Sequence, residues 1–190
     1  MNKLKRMALI GLLTKRFKES HSWCGETHVQ KAIYFLQELL EVPLNYEFVL
    51  YKFGPFSFAL RDDLSECVAC ELIDVVPNDY PYGCLYGPRL RPTPHVENLM
   101  SKFPKTLQKY ASQVNCVTNW LGPKDASELE RLSTALYVLK KRPDLAENEK
   151  GWIDEVHRLK PHQSKEEISQ AVKELQSFVN EGGAWDGSRR

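Results

Sequence analysis

The sequence predicts a mainly α-helical fold with a small antiparallel β element (α+β), in which a winged-helix-like N-terminal unit precedes a helical C-terminal part. Three observations carry this. Apolar residues recur at spacings of three and four through most of the 190 residues, the period of a helix with a buried stripe. One segment, Tyr46 to Phe53, is instead rich in aromatic and β-branched residues and runs into Gly54-Pro55, as a strand does. Two more short apolar runs, Leu72 to Val76 and Leu85 to Leu90, flank the loop chemistry of Pro77-Asn78-Asp79-Tyr80-Pro81-Tyr82-Gly83.

The elements follow in order. Residues 3–18 form a first helix, with Leu4, Met7, Ala8, Gly11 and Leu12 on one stripe and basic groups elsewhere. Ser20 to Gly25 is a loop. A second helix runs from about Glu26 to Glu41 on Val29, Ile33, Leu36 and Leu40; Ala32, Phe35 and Leu39 widen the stripe, so burial extends to more than one side. Pro43 ends it. Gly54-Pro55 breaks the extended segment, because proline has no N–H to continue a ladder. Ser57 then caps a third helix reaching about Ala69, with Leu60 and Leu64 inward. Helix, helix, strand, helix, hairpin is the order of a winged-helix unit, made irregular by the inserted strand.

The remainder reads as helical. Residues from about 95 to 121 form one or two helices interrupted near Pro104. Asp125 with Glu128 makes a capping box ahead of Leu129, Leu132, Leu136 and Leu139. A shorter helix spans about Asn148 to Leu159 and stops at Pro161. Ser164 with Glu167 forms a second capping box opening the helix from Ile168 to Val179. Gly182-Gly183 ends the order. The organisation expected is one domain over 1–181, with units of about 1–93 and 94–181, and a flexible tail at 182–190 that carries Trp185.

Composition excludes several classes. The formal charge is +1, from 26 basic and 25 acidic residues, so bulk electrostatics recruits neither nucleic acid nor a membrane. Nothing approaches the apolar length of about 20 residues that a membrane span needs. The run Met7 to Leu13 meets Lys15-Arg16 at once and lacks a small-residue cleavage site, so it is no signal peptide. Cys24, Cys67, Cys70, Cys84 and Cys116 form an odd set with no regular spacing, which suits a reducing, cytoplasmic setting.

Candidate chemistry is thin. Cys67-Val-Ala-Cys70 has no second pair at zinc-site spacing; Cys84, Cys116, His95 and His157 are scattered. It closes a helix instead of opening one, so a redox thiolate would lack the helix N-terminus. His21, His28, His157 and His162 with Cys24 have no obvious carboxylate orienter. No cofactor, metal or enzymatic activity is expected. A DNA reader should present a basic helix, yet the third helix sets Arg61 against Asp62, Asp63 and Glu66. The second sets Lys31 against Glu26, Glu38 and Glu41. Nucleic acid is therefore disfavoured, although a winged-helix regulator stays as the rival reading. Lys3, Lys5, Arg6, Lys15, Arg16 and Lys18 read as a solvated face, or as a patch for an acidic protein or RNA backbone. The corner from Tyr51 to Phe56 reads either as structural, with Lys52 solvated, or as a partner face with Tyr51, Lys52 and Lys31.

Three stretches together carry a resemblance: HVQKAIYFLQ, YKFGPFSFALRDDL, and ALYVLKKRP followed by LKPHQSKEEISQAVKEL. The chain resembles the Panacea superfamily (SocA-like antitoxin domains), in its YwgA-like branch, over roughly residues 5–178. The resemblance implies a mostly helical domain that neutralises a toxin or a phage-defence effector by direct contact. The candidate partner-binding residues, drawn from the helix motif and the aromatic corner, are Gln30, Lys31, Tyr34, Tyr51, Lys52, Phe53, Gly54, Pro55 and Phe56. An acidic, aromatic face on helices two and three would then suit toxins with basic active sites. Cys67 to Cys70 depart from the family pattern, which expects an apolar residue and a turn glycine there, and so leave the end of the third helix open.

Overall fold

A computed structural model describes residues 1–77 and 87–180. The loop 78–83, the start of the run Leu85 to Leu90, Cys84 and the tail with Trp185 lie outside the described residues. Among the described residues, eight α-helices and two small antiparallel sheets form the mainly α fold with a small β element that the sequence predicts.

Helix α1 (Lys3–Glu19) is the axis of the core. Met7 to Thr14 are buried without a break, because α3 (Phe58–Ala69), α4 (His95–Met100), α5 (Pro104–Leu121) and strand β4 (Arg89–Pro92) all pack around it. Every side therefore meets protein and no single apolar stripe is needed. One stripe position fails: Leu4 is exposed. Gly11 lets α4 (His95–Met100) approach closely, since a Cβ there would lie 2.3 Å from Val96 Cγ2. Helix α2 (Glu26–Glu38) packs on α5 (Pro104–Leu121) and α6 (Ala126–Lys141) and is buried from His28 to Leu36. It stops three residues earlier than expected.

The aromatic segment differs from the single broken strand expected of it. Strand β1 (Val49–Tyr51) pairs with β2 (Gly54–Phe56), with Leu50 opposite Pro55 and Tyr51 opposite Gly54. The reversal falls on Lys52-Phe53, so Gly54-Pro55 begin the return strand. Gly54 takes φ +84°, which glycine adopts freely. Proline is tolerated because a two-stranded ribbon is all edge.

Helix α3 (Phe58–Ala69) is capped by the Ser57 hydroxyl, which accepts from Leu60 N. It ends cleanly without the expected glycine: Glu71 adopts φ 57°. Glu71 N donates to Val68 O, and Leu72 N to Cys67 O, the two bonds of a Schellman end. Strand β3 (Ile73–Val76) pairs with β4 (Arg89–Pro92), which starts later than the predicted run. Leu90 N also donates to Cys24 O, tying this hairpin to the loop before α2.

Both capping boxes form, at Asp125/Glu128 and Ser164/Glu167. A 3-10 turn (Pro143–Glu147) that the periodicity misses joins α6 to α7 (Glu149–Leu159); α8 (Lys165–Asn180) closes the bundle on α6 and α7. Trp152 fills the space between them and donates to Ala135 O.

Candidate functional site

The β1–β2 corner is held from below by buried polar side chains. The Gln30 amide makes two bonds to Ser57: its Nε2 donates to Ser57 O and its Oε1 accepts from Ser57 N, both at 3.0 Å. Lys31 Nζ donates to Pro55 O at 2.7 Å. From the other side, Lys160 Nζ donates to Tyr51 O and Lys52 O, at 3.0 and 2.6 Å. It also lies 2.8 Å from Glu130 Oε1, an ion pair off the hydrogen-bonding direction. Two donors of that ammonium thus meet carbonyl oxygens, and its charge is balanced by Glu130. Two lysines fix the carbonyls on both arms of one hairpin.

These contacts correct part of the partner face expected from the sequence. Gln30, Lys31 and Tyr34 are each no more than 2% exposed. Gly54 and Pro55 are buried against α6, where a Cβ on Gly54 would sit 2.9 Å from Ser133 Oγ. These side chains add no exposed surface to the corner, because they are engaged by internal carbonyls and packing. Tyr51, Lys52 and Phe53 do stand in solvent, with Phe56 half-buried beneath them. Tyr51, Phe56 and Phe58 form one cluster, with ring centroids 5.2–5.8 Å apart. Lys52 Nζ lies 5.3 Å over the Phe53 ring.

Beside the corner lies a cleft of about 560 Å³ between α2 and α3, flanked by the two hairpins. Leu64, Val68, Val75 and Leu90 give it an apolar side; Lys31, Lys52, Arg61 and Glu26 give it charge. Trp23 closes one end, donating from its indole to Gly87 O. The volume is in the range of pockets that accept a small ligand or an anchoring side chain.

The acidic face expected on helices two and three is reduced to Asp62 and Glu41, which stay exposed, because the other four acids are paired. Asp63 is buried, 2.8 Å from Arg6 Nε, and accepts from the Tyr46 hydroxyl at 2.7 Å. Glu66 pairs with Lys3, Glu26 with Arg61 and Glu38 with Lys140. The basic first helix is consumed in the same way, with Lys15 on Glu97 and Arg16 on Glu19. Helices one and three neutralise each other because they pack together.

The buried thiols are neutral, and three of the five histidines meet oxygens of this chain. Burial pushes the Cys24 and Cys67 thiols up to about 12, so both are neutral. His28 is lowered by burial, and its Nε2 lies 3.0 Å from Lys124 O. His157 Nδ1 lies 2.9 Å from Gln163 O, and His162 contacts Glu130. Among the described residues no three of His, Cys, Asp and Glu are grouped to hold a metal ion.

Sequence reasoning missed Glu130, Lys160 and the cleft-lining Trp23, Val75 and Leu90. Glu130 sits beside Leu129 in the helical repeat and reads as a surface acid. Lys160 falls in the polar run before Pro161 and reads as linker. Only the packing of α6 against the β1–β2 corner buries both. No protein-family model matches the chain, and no curated protein matches it.

Proposed function

We propose that this chain is a Panacea-like, non-catalytic interaction module of the cytoplasm that neutralises a toxin or defence effector by covering its active surface. The contact surface is the tip of the β1–β2 hairpin together with the adjoining cleft. One observation carries this: Tyr51, Phe53 and Phe58, each more than half exposed, stand on a backbone locked from beneath by Lys31 and Lys160. Large apolar rings are normally buried, and an exposed set on a rigid support marks an interaction site. Rigidity lowers the ordering cost of binding, and tyrosine is a frequent interface anchor.

The winged-helix alternative fares worse. Four of the six bases of α1 (Lys3, Arg6, Lys15 and Arg16) are bound to acids of this chain, and Lys31, the lysine of α2, is buried under the corner.

The test is co-expression with the product of the adjacent reading frame. Rescue from a toxic neighbour is expected for the wild type. Tyr51→Ala with Phe53→Ala should abolish it while leaving the melting temperature nearly unchanged, since both rings are exposed. Full rescue by the folded double variant would refute the assignment.

A further inference from the structure

The cleft is unbalanced in charge. Among its described lining residues, Lys31, Lys52 and Arg61 are cationic and Glu26 is the carboxylate. Arg61 Nε lies 3.8 Å from Glu26 Oε1, which leaves Lys52, and Lys31 whenever it carries its proton, in excess. Lys52 stands at the rim in solvent, while Lys31 forms the floor and is 2% exposed. An ammonium carries three donors, and the hydrogen bond recorded for Lys31 Nζ goes to Pro55 O. A buried cation with spare donors, facing a cavity, is held at a free-energy cost that an anion in the cavity would offset.

The opposite wall is apolar. Leu64, Val68, Val75 and Leu90 offer aliphatic surface, and Val75 is 45% exposed. The chemistry that fits both walls is an aliphatic or aromatic anchor with a carboxylate close to it.

Resting on the interaction reading above, we propose that the cleft receives an acidic segment of the partner protein. Its apolar anchors lie on Leu64, Val68, Val75 and Leu90, and its carboxylates face Lys31, Lys52 and Arg61. This reverses the polarity expected from the charges of helices two and three, because of those acids Glu26 is the one that lines the cleft and it is paired with Arg61. A basic partner surface would instead meet Lys52 and Arg61 at the rim. Like charges set against each other at an interface oppose association.

The experiment is fluorescence polarisation with three short labelled peptides of one amphipathic design. All have leucine and phenylalanine on one face; the other face carries glutamate, glutamine or lysine. The glutamate peptide should bind the wild-type chain about tenfold more tightly than the glutamine peptide, a difference of about 1.4 kcal/mol, and added salt should erode that margin. Lys52→Glu with Arg61→Glu, both at exposed positions, should invert the order and favour the lysine peptide. Equal binding of the glutamate and lysine peptides, binding indifferent to the double reversal, or no binding of any peptide would each overturn the proposal. If it falls while Tyr51→Ala with Phe53→Ala still abolishes neutralisation, the interaction site stands and only the partner's chemistry is wrong. If that double variant neutralises normally, the site itself is wrong.

Discussion

Replacing Lys31 with methionine should remove a pH-dependent handicap from the folded state. Burial lowers Lys31 from its ordinary 10.5 to about 7, against the pull of Glu130 and with the push of Lys160. At about 1.4 kcal/mol per pH unit, that gap amounts to roughly 5 kcal/mol. The folded chain binds this proton less tightly than the unfolded chain does. Between about 7 and 10.5 the unfolded state therefore holds more protons, and stability rises with pH at up to about 1.4 kcal/mol per unit. The contribution is complete above 10.5 and is lost as the pH falls towards 7. Methionine keeps the apolar stem but leaves Pro55 O without its donor, which costs about 1–3 kcal/mol. The variant should thus be more stable than the wild type by about 1–3 kcal/mol at neutral pH, with the margin shrinking and then reversing between about pH 8 and 10. Urea unfolding at half-unit steps across this range measures it. The thiols of Cys24 and Cys67, raised to about 12, pull stability down above about pH 9, but they are common to both proteins and cancel in the difference. Parallel stability curves for the two proteins would refute the reasoning.

Three other perturbations test the scaffold. Gly54→Ala forces an L-residue to φ +84° and drives its Cβ onto Ser133 Oγ, itself bonded to Glu130 O. The conformational term alone is about 1–2 kcal/mol, so the melting temperature should fall by roughly 2–8 °C; an unchanged melt would contradict the tight corner. Asp63→Ala strands Arg6 and the Tyr46 hydroxyl and should destabilise by about 3–5 kcal/mol. Arg6→Met added to Asp63→Leu should recover most of that loss in chemical denaturation, and a double variant as unstable as the single one would show that the ion pair is not the cause. In the native protein, a maleimide reagent followed by mass spectrometry should label the exposed Cys70 and Cys116 and spare the buried Cys24 and Cys67. Labelling of Cys24 without denaturant would place that loop in solvent.

How far the chain could be read in advance depends on the range of the forces involved. Helix starts were legible because a cap acts within one turn: Ser57, Asp125 and Ser164 each bond a backbone N–H three residues on. The interruption at Pro104 was legible for the same reason, since proline restricts its own neighbour. The hairpin was half legible. Gly54-Pro55 announced a sharp change, but whether the chain turned before or after them depended on α6, whose Ser133 and Thr134 leave room beneath Gly54 for a hydrogen atom and nothing larger.

The candidate site was legible only as a place. Tyr51 and Phe53 carry one signature of an interface, and Gln30, Lys31 and Tyr34 share their motif, yet the first two face solvent and the other three face the core. No spacing rule separates these cases, because Lys31 and Lys160 lie 129 positions apart in the chain and become neighbours of one hairpin only when the bundle closes. Charge shows the same limit. The acids of α3 and the bases of α1 can be counted from the sequence, but their cancellation requires the two helices to touch. Local steric and hydrogen-bonding rules acting over a few residues determined which segments are helical and where they begin. Long-range burial, which desolvates some charges and pairs others, decided which surface is left to meet a partner.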